Sequence, residues 1–354
     1  MPEIWEVQEK PPAMSADSFE VREYQTADEA EVLTLLGQAL GDGRAFARTS
    51  AFWQWKHFQN PFGPSLMMVA VSRGVLGLRA FLRWQFHVGT QTLSAIRAVD
   101  TATHPTHRRH GVFATLTHRT VERARDEGVD LIFNTPNQQS LPGYVKLGWS
   151  YVGRPPMLVR VLRPLRVARG VFRRRPQTSD PWPVVRAPVM PIAELLSKGE
   201  CLKGLLVEND RLCGGFRTAR SVEFLHWRYA AAPSLRYYAC WSGGNAVTAA
   251  AVLRPNRRWG LREIVLCELF LSRTGLAQAA CLVRDLVAAV DADYIVAHAA
   301  PGSAQAQALR RAGFIRLPRV GPNFTVRPLS RLASGFGATS LGQWELSLGD
   351  LEVF

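Results

Sequence analysis

Val99-Asp-Thr-Ala-Thr-His-Pro-Thr-His-Arg-Arg-His-Gly-Val-Phe-Ala114 joins three kinds of sequence without a break. An apolar, β-rich segment from Leu93 to Thr103 runs into a turn at His104-Pro105. A basic loop with one glycine follows, Arg108-Arg-His-Gly111. At Val112 a helical pattern opens, with Val112, Leu116, Val121 and Ala124 on one side and Arg119, Glu122, Arg123, Arg125, Asp126 and Glu127 on the other. A strand, a glycine loop and a helix start together turn backbone N–H groups toward a phosphate. Gly111 permits close approach of an anion, and Arg108 and Arg109 bring charge beside it. The loop is not a P-loop, because no Gly-Lys-Ser/Thr follows, and it is not G-x-G-x-x-G.

Arg108-x-x-Gly111-x-Phe113 resembles the Arg/Gln-x-x-Gly-x-Gly/Ala pyrophosphate loop of the GCN5-related N-acetyltransferases, the GNAT superfamily. Phe113 stands where that family usually has a small residue. The likeness continues through the helix, the short strand Leu131-Ile-Phe-Asn134 and Gly143-Tyr-Val-Lys-Leu-Gly-Trp149, which resembles the family's Tyr-x-Lys-x-Gly-Phe signature. The resemblance implies an acetyl-coenzyme A co-substrate lying between splayed fourth and fifth strands. Its contacts would be Val99, Thr101, Arg108, Arg109, His110, Gly111, Val112, Phe113 and Ala114, with Asn134 and Asn137 beside the pantetheine arm. It also implies direct transfer to an amine, with Tyr144 protonating the departing thiolate and Asp100 as the base or as the holder of the substrate ammonium. His104 is the alternative base, and Asp100 could equally serve the turn that follows it.

The elements on either side fit this order. Phe19–Tyr24 alternates as a first strand, Asp28–Leu40 reads as an amphipathic helix capped by Thr26 or Asp28, and Gly41–Gly43 ends it. Ser50–His57 is a short helix rich in aromatics; Phe52, Trp53 and Trp55 could wall a substrate, but an aromatic stripe at helical spacing reads more readily as core. Three strands follow, 67–72, 77–88 and 92–103, with glycines at both connections. After the loop and helix come strand 131–134, helix 141–147 and a strand from Trp149 to Arg160.

Arginines then dominate: Arg160, Arg163, Arg166, Arg169 and Arg173–Arg175, interleaved with Leu162, Leu165, Val167, Val171 and Phe172. The stretch reads either as a basic amphipathic helix touching a membrane surface or nucleic acid, or as a solvated linker. Beyond it the first half recurs in degenerate form. Phe52-x-x-Trp55-Lys56 returns as Phe224-x-x-Trp227-Arg228, Asp130–Phe133 as Asp293–Val296, and Leu147-Gly-Trp149 as Ala312-Gly-Phe314. The copy has Leu271-Ser-Arg-Thr-Gly275 in place of the basic loop and no counterpart of Tyr144.

The expectation is therefore an α+β chain of two tandem GNAT-like domains, each a mixed, mostly antiparallel sheet flanked by helices. Residues 1–17 form a poorly ordered leader that is no secretory signal, 18–160 the domain with the acyl-CoA loop, 161–183 the arginine-rich linker and 184–354 the degenerate copy. Hydrophobic content of 47% and charged content of 20% describe an ordinary globular chain, and no apolar run approaches the ~18 residues of a membrane span. The net charge of +14 suits anionic ligands but equally a GC-rich genome. The five cysteines, Cys201, Cys213, Cys240, Cys267 and Cys281, show no metal-ligand spacing and read as reduced, mostly buried thiols in a cytoplasm. No metal is expected, and no stable nucleic-acid partner.

The functional expectation is transfer of an acetyl group to a small-molecule primary amine such as an amino sugar or amino acid derivative, by a monomer or homodimer. The alternatives are a FemABX-like transferase using aminoacyl-tRNA, against which the Arg108–Gly111 loop speaks, and a non-catalytic coenzyme-sensing or nucleic-acid-binding module.

Overall fold

The computed structural model describes residues 19–40, 48–173, 186–243, 246–317 and 320–352. The leader 1–17, the Gly41–Gly43 helix stop and the end of the arginine-rich stretch lie outside the described residues. The first half of the chain runs β1 (Glu20–Glu23), α1 (Glu29–Leu40), α2 (Ser50–Phe58), β2 (Leu66–Val71), β3 (Val75–Val88), β4 (Gln91–Thr103), α3 (Val112–Asp126), β5 (Leu131–Asn134), α4 (Leu141–Lys146), β6 (Ser150–Gly153), β7 (Met157–Val161) and α5 (Pro164–Arg173). The second half runs β8 (Met190–Pro191), α6 (Ile192–Leu196), α7 (Gly199–Arg211), β9 (Arg217–Thr218), α8 (Val222–Leu225), β10 (Tyr238–Ser242), β11 (Ala249–Arg258), β12 (Leu261–Leu271), α9 (Leu276–Ala289), β13 (Tyr294–His298), α10 (Ala304–Arg311), β14 (Ile315–Leu317), β15 (Phe324–Pro328), α11 (Arg331–Gly335) and α12 (Leu348–Leu351).

Two mixed sheets result. The first has the order β1-β2-β3-β4-β5-β15-β6, with β9 beside β3, and the second the order β14-β7-β13-β12-β11-β10-β8. Neighbours are antiparallel except β4 with β5 and β12 with β13, which are parallel. Read from opposite ends the two orders correspond, and in each the strand next to the parallel pair comes from the other half of the chain. The segment 149–160 is thus not one strand, as its composition suggested. Pro155 and Pro156 withdraw two N–H donors and break it, after which β6 stays in the first sheet and β7 enters the second. β15 returns the exchange by pairing with β5 through Thr325↔Asn134 and Val326↔Phe133.

The two chain passages cross side by side. Met157 N–H donates to the Val320 carbonyl at 3.2 Å, and the His298 Nδ1 lies 2.7 Å from the Pro156 carbonyl. A Cβ at Gly321 would stand 2.1 Å from the Pro155 carbonyl oxygen, so only glycine fits there. The division expected at 160 and 184 therefore does not follow the sheets.

Nor does it follow the core. One apolar cluster runs from Leu35, Trp55, Trp84 and Phe133 in the first half to Phe216, Phe224, Trp227 and Trp344 in the second. At its centre Trp55 Nε1 donates to the Trp227 carbonyl at 2.7 Å and Trp227 Nε1 donates to the Trp55 carbonyl at 2.9 Å. The two rings stack at 5.5 Å, and they are the tryptophans that recur 172 positions apart. Among the described residues no helix is long and apolar enough to cross a membrane. Cys240 and Cys267 are buried, whereas Cys201 and Cys281 are exposed, against the expectation of mostly buried thiols.

Candidate active site

The apolar face of α3 (Val112, Leu116, Val121, Ala124) is buried as its spacing requires, and this fixes where the helix starts. Gly111 precedes it with φ 79°, and a Cβ built there would have no heavy atom within 4 Å. The turn is thus open on the side where a ligand would approach. Arg109 also has positive φ, 69°, so left-handed residues alternate along the loop as in an anion-binding nest. The first helical bond runs from Thr115 N–H to the Gly111 carbonyl, leaving the N–H groups of Val112, Phe113 and Ala114 ahead of it. Arg108, Arg109 and His110 are exposed around this opening. The residues fit a pyrophosphate: amide donors, two guanidinium groups and space.

Phe113, the departure from the motif, does not obstruct the loop. Its ring turns inward, 5.9 Å from Tyr144 in an edge-on contact and 5.2 Å from the Arg79 guanidinium. Tyr144 sits buried on α4, packed also against Trp149. Its hydroxyl oxygen accepts from Arg79 Nη1 at 2.8 Å. Arg79 is fully buried, also donates to Thr101 Oγ1, and keeps Nε and Nη2 without a hydrogen-bond partner. Two nitrogens with three unsatisfied N–H bonds on a desolvated cation are costly unless a ligand or water meets them.

A bulge in β4 organises the other side. Leu78 pairs with Ala102 but Ala80 pairs with Val99, so Asp100 and Thr101 together oppose Arg79. Asp100 takes φ 33°, unusual for a residue with a side chain. The extra residue divides the two side chains: Thr101 meets Arg79, while Asp100 meets Lys56 and His57 of α2. The Lys56 ammonium donates to Asp100 Oδ2, and His57 Nε2 lies 3.2 Å from the same oxygen. Burial alone would raise the Asp100 pKa, yet Lys56 and His57 outweigh it and hold the carboxyl well below its usual range. His57, with its other nitrogen 2.9 Å from Ser65 Oγ, is kept neutral mainly by burial. A carboxylate so fully paired is a charge anchor rather than a proton acceptor.

Parallel pairing of β4 with β5 spans Ala95↔Leu131 to Arg97↔Phe133. Past Arg97 the strands diverge, because Pro136 stops β5 while β4 runs on to Thr103. The β4 edge from Ala98 to Thr101 thereby faces a gap that an extended chain could line. Asn134 and Asn137 are less available than expected. Asn134 Oδ1 accepts from Thr135 N–H at 2.8 Å, and Asn137 Oδ1 accepts from Ser140 N–H at 2.8 Å, capping the turn before α4. His104 is tied to Thr106 Oγ1 at 2.7 Å beside the loop.

On the α2 side lies a small chamber of about 20 Å³, room for about one water, bounded by both halves: Trp55, Trp84 and Trp227 with Lys56, Arg97, Arg228 and Glu352. Arg97 Nη2 donates to the Leu351 carbonyl at 2.9 Å, and Arg228 Nη2 to the Gly349 carbonyl at 3.0 Å, so the last described segment is strapped across it. Arg79, Lys56 and Glu352 were not singled out from sequence. Arg79 had a visible signal, a cation among the alternating apolar residues of β3; Glu352 had none.

The second sheet has the same divergence after Leu266↔Ala297, above a cleft of about 50 Å³ that includes Glu268, Arg220, His298 and Asp210. Its helix start differs. Gly275 has φ −83°, and a Cβ there would lie 2.4 Å from the Thr248 carbonyl oxygen, so the turn is closed where Gly111 is open.

Residues 20–152 match the family model described as "Acetyltransferase (GNAT) domain". No curated protein matches by sequence. Among solved structures, the chain is similar to a GCN5-related N-acetyltransferase from Anabaena variabilis (TM-score 0.61, 14% identity, covering 88% of this chain and 73% of that one). A probable N-acyltransferase from Enterococcus faecalis gives TM-score 0.60 at 12% identity over the same shares, 88% and 73%. Saccharomyces cerevisiae N-myristoyltransferase with bound myristoyl-CoA gives 0.55 at 12% identity, covering 90% of this chain and 84% of that one.

Proposed function

We propose that the chain, whose residues 20–152 match an acetyltransferase (GNAT) domain, is an acyl-CoA-dependent N-acyltransferase that moves an acetyl group to the primary amine of a small metabolite. One observation carries this reading. The open glycine turn of α3 and the Arg79-held hydroxyl of Tyr144 flank the same divergence of β4 and β5, joined by the Phe113–Tyr144 contact.

In this reading Arg108, Arg109 and the N–H groups at the start of α3 hold the pyrophosphate, and the β4 edge at Val99–Thr101 lines the pantetheine arm. The amine nitrogen attacks the thioester carbonyl carbon, a C–N bond forms, and the C–S bond breaks. Tyr144 gives its phenolic proton to the departing sulfur, and the Arg79 guanidinium steadies the phenolate left behind. The proton released by the acylated nitrogen returns through water to Tyr144. Asp100, expected as the base, instead holds Lys56 and His57 in place beside the chamber. We place the acceptor amine at the β4–β5 divergence; Glu352 is held by Arg254 at 2.6 Å and, like Asp100, serves as a charge anchor.

Calorimetric titration of acetyl-CoA into the wild type and Gly111→Asp tests the donor half. Binding near one site per chain, lost in the variant, is expected, since the carboxylate repels the pyrophosphate and a side chain strains a φ of 79°. Absence of binding by the wild type at millimolar ligand would overturn the reading.

A further inference from the structure

Helix α5 is docked on the second sheet by one side only. Val167 packs into a small cluster with Val159, Leu261 and Tyr294, and a Cβ at Gly170 would lie 2.6 Å from Leu261 Cδ2. The opposite side repeats a second apolar row, Leu165, Ala168 and Phe172, at helical spacing, and this row points to solvent: Leu165 is 79% exposed and Phe172 88%. Beside it runs a row with Arg166 and Arg169, both exposed. The apolar row therefore contributes nothing to the fold that the structure uses.

The neighbouring turn between β11 and β12 has the same character. Trp259 is 42% exposed at its tip, two residues before the Leu261 that touches Gly170, and the Arg258 guanidinium lies 5.9 Å from its ring. Acidic groups near this face are already engaged: Asp291 with Arg163 and Arg262, Asp293 with Arg163 and Arg166, and Glu263 with Arg258. What remains outward is apolar tips set among guanidinium groups, on a chain of net charge +14.

We infer that this face, α5 from Leu165 to Phe172 with the Trp259 turn, docks on the surface of an anionic phospholipid bilayer. Leu165, Phe172 and Trp259 enter the headgroup–acyl boundary while Arg169 and Arg258 meet lipid phosphates. A helix side and a hairpin tip are both convex features of the surface. They offer no groove of the kind that tracks a nucleic-acid strand.

The test is flotation of the full chain with vesicles of equal parts phosphatidylglycerol and phosphatidylcholine, against phosphatidylcholine alone, at low and high salt. Binding is expected only with the anionic vesicles and weakens as salt rises. Leu165→Ser/Phe172→Ser and, separately, Arg169→Glu are expected to lower the bound fraction by on the order of tenfold. Their melting temperatures stay unchanged, because among the described residues these side chains are exposed to solvent. Equal binding to both vesicle types, or variants that bind as the wild type does, would overturn the proposal. Binding of a DNA duplex, lost in the same variants, with none to vesicles would also overturn it. So would a concentration-dependent dimer that the variants dissolve, which would give the face to a second copy of the chain.

Discussion

Arg79 is where sequence and site chemistry meet most directly. A fully buried guanidinium inside a β-strand is tolerated here because Thr101 and Tyr144 take two of its hydrogen bonds and aromatic rings cover it at 4.5 to 5.2 Å. Tyr144→Phe removes the proposed acid and one of those acceptors. The expected outcome is a kcat lower by about 10²-fold or more, with acetyl-CoA affinity retained and stability down by about 1 kcal/mol. Steady-state kinetics with a responsive amine, together with urea melts, would check this. His57 gives a pH signature of its own. Burial keeps its folded pKa below the ordinary 6.5, so as pH falls through 6.5 the unfolded chain takes a proton that the folded chain refuses. Stability therefore drops with acid, by at most about 1.4 kcal/mol per pH unit for this group. Asp100 acts in the same direction lower down: its contribution is whole above about pH 3.8 and disappears as pH falls below that toward the depressed folded value. Urea melts from about pH 8 to about pH 5 should show a flatter pH slope in His57→Gln than in the wild type. Equal slopes would move the effect to another buried neutral imidazole, such as His298.

Among the elements, the β4 bulge and the α2 aromatics do most of the positioning. Without the extra residue Asp100 would fall on the α3 side of the sheet with Tyr144; with it, the carboxylate turns to α2 and Thr101 takes its place. Nothing in Ala98–Ala102 announces a bulge, so the sequence placed Asp100 near the right strand end and could not tell which face it would take. The α2 stripe read correctly as core, and Trp55 and Trp227 were legible as recurring positions. That they bond each other was not legible, because two recurring positions have no fixed separation until both halves pack. Trp55→Phe should cost about 1–3 kcal/mol, since it leaves the buried Trp227 carbonyl without its donor. In a double-mutant cycle with Trp227→Phe the coupling should exceed about 0.5 kcal/mol; additive costs would mean that the rings stack without supporting each other.

For the molecule as a whole, the exchange of β7 and β15 makes the halves interdependent. A chain ending at Val161 would leave β5 and β6 without β15 between them, and β7 without either partner strand. Such a fragment is expected to aggregate when expressed alone, through its exposed edges, and to become soluble when co-expressed with the remaining residues. A soluble, monomeric fragment by size-exclusion chromatography would show that the exchange is dispensable. The sequence by itself determined most of the local elements and the glycine–arginine loop that opens α3; the two prolines that break 149–160 are in plain view, yet the stretch reads through as one strand. Those elements and that loop depend on residues near in the chain: helical periodicity and the φ freedom of one glycine. Only the tertiary structure decided which sheet receives each strand after the break, that Asp100 is saturated by Lys56 and His57, and that Glu352 closes the chamber. A strand edge offers the same N–H and C=O groups to any partner, and a carboxylate becomes a base or an anchor according to the charges that folding brings beside it.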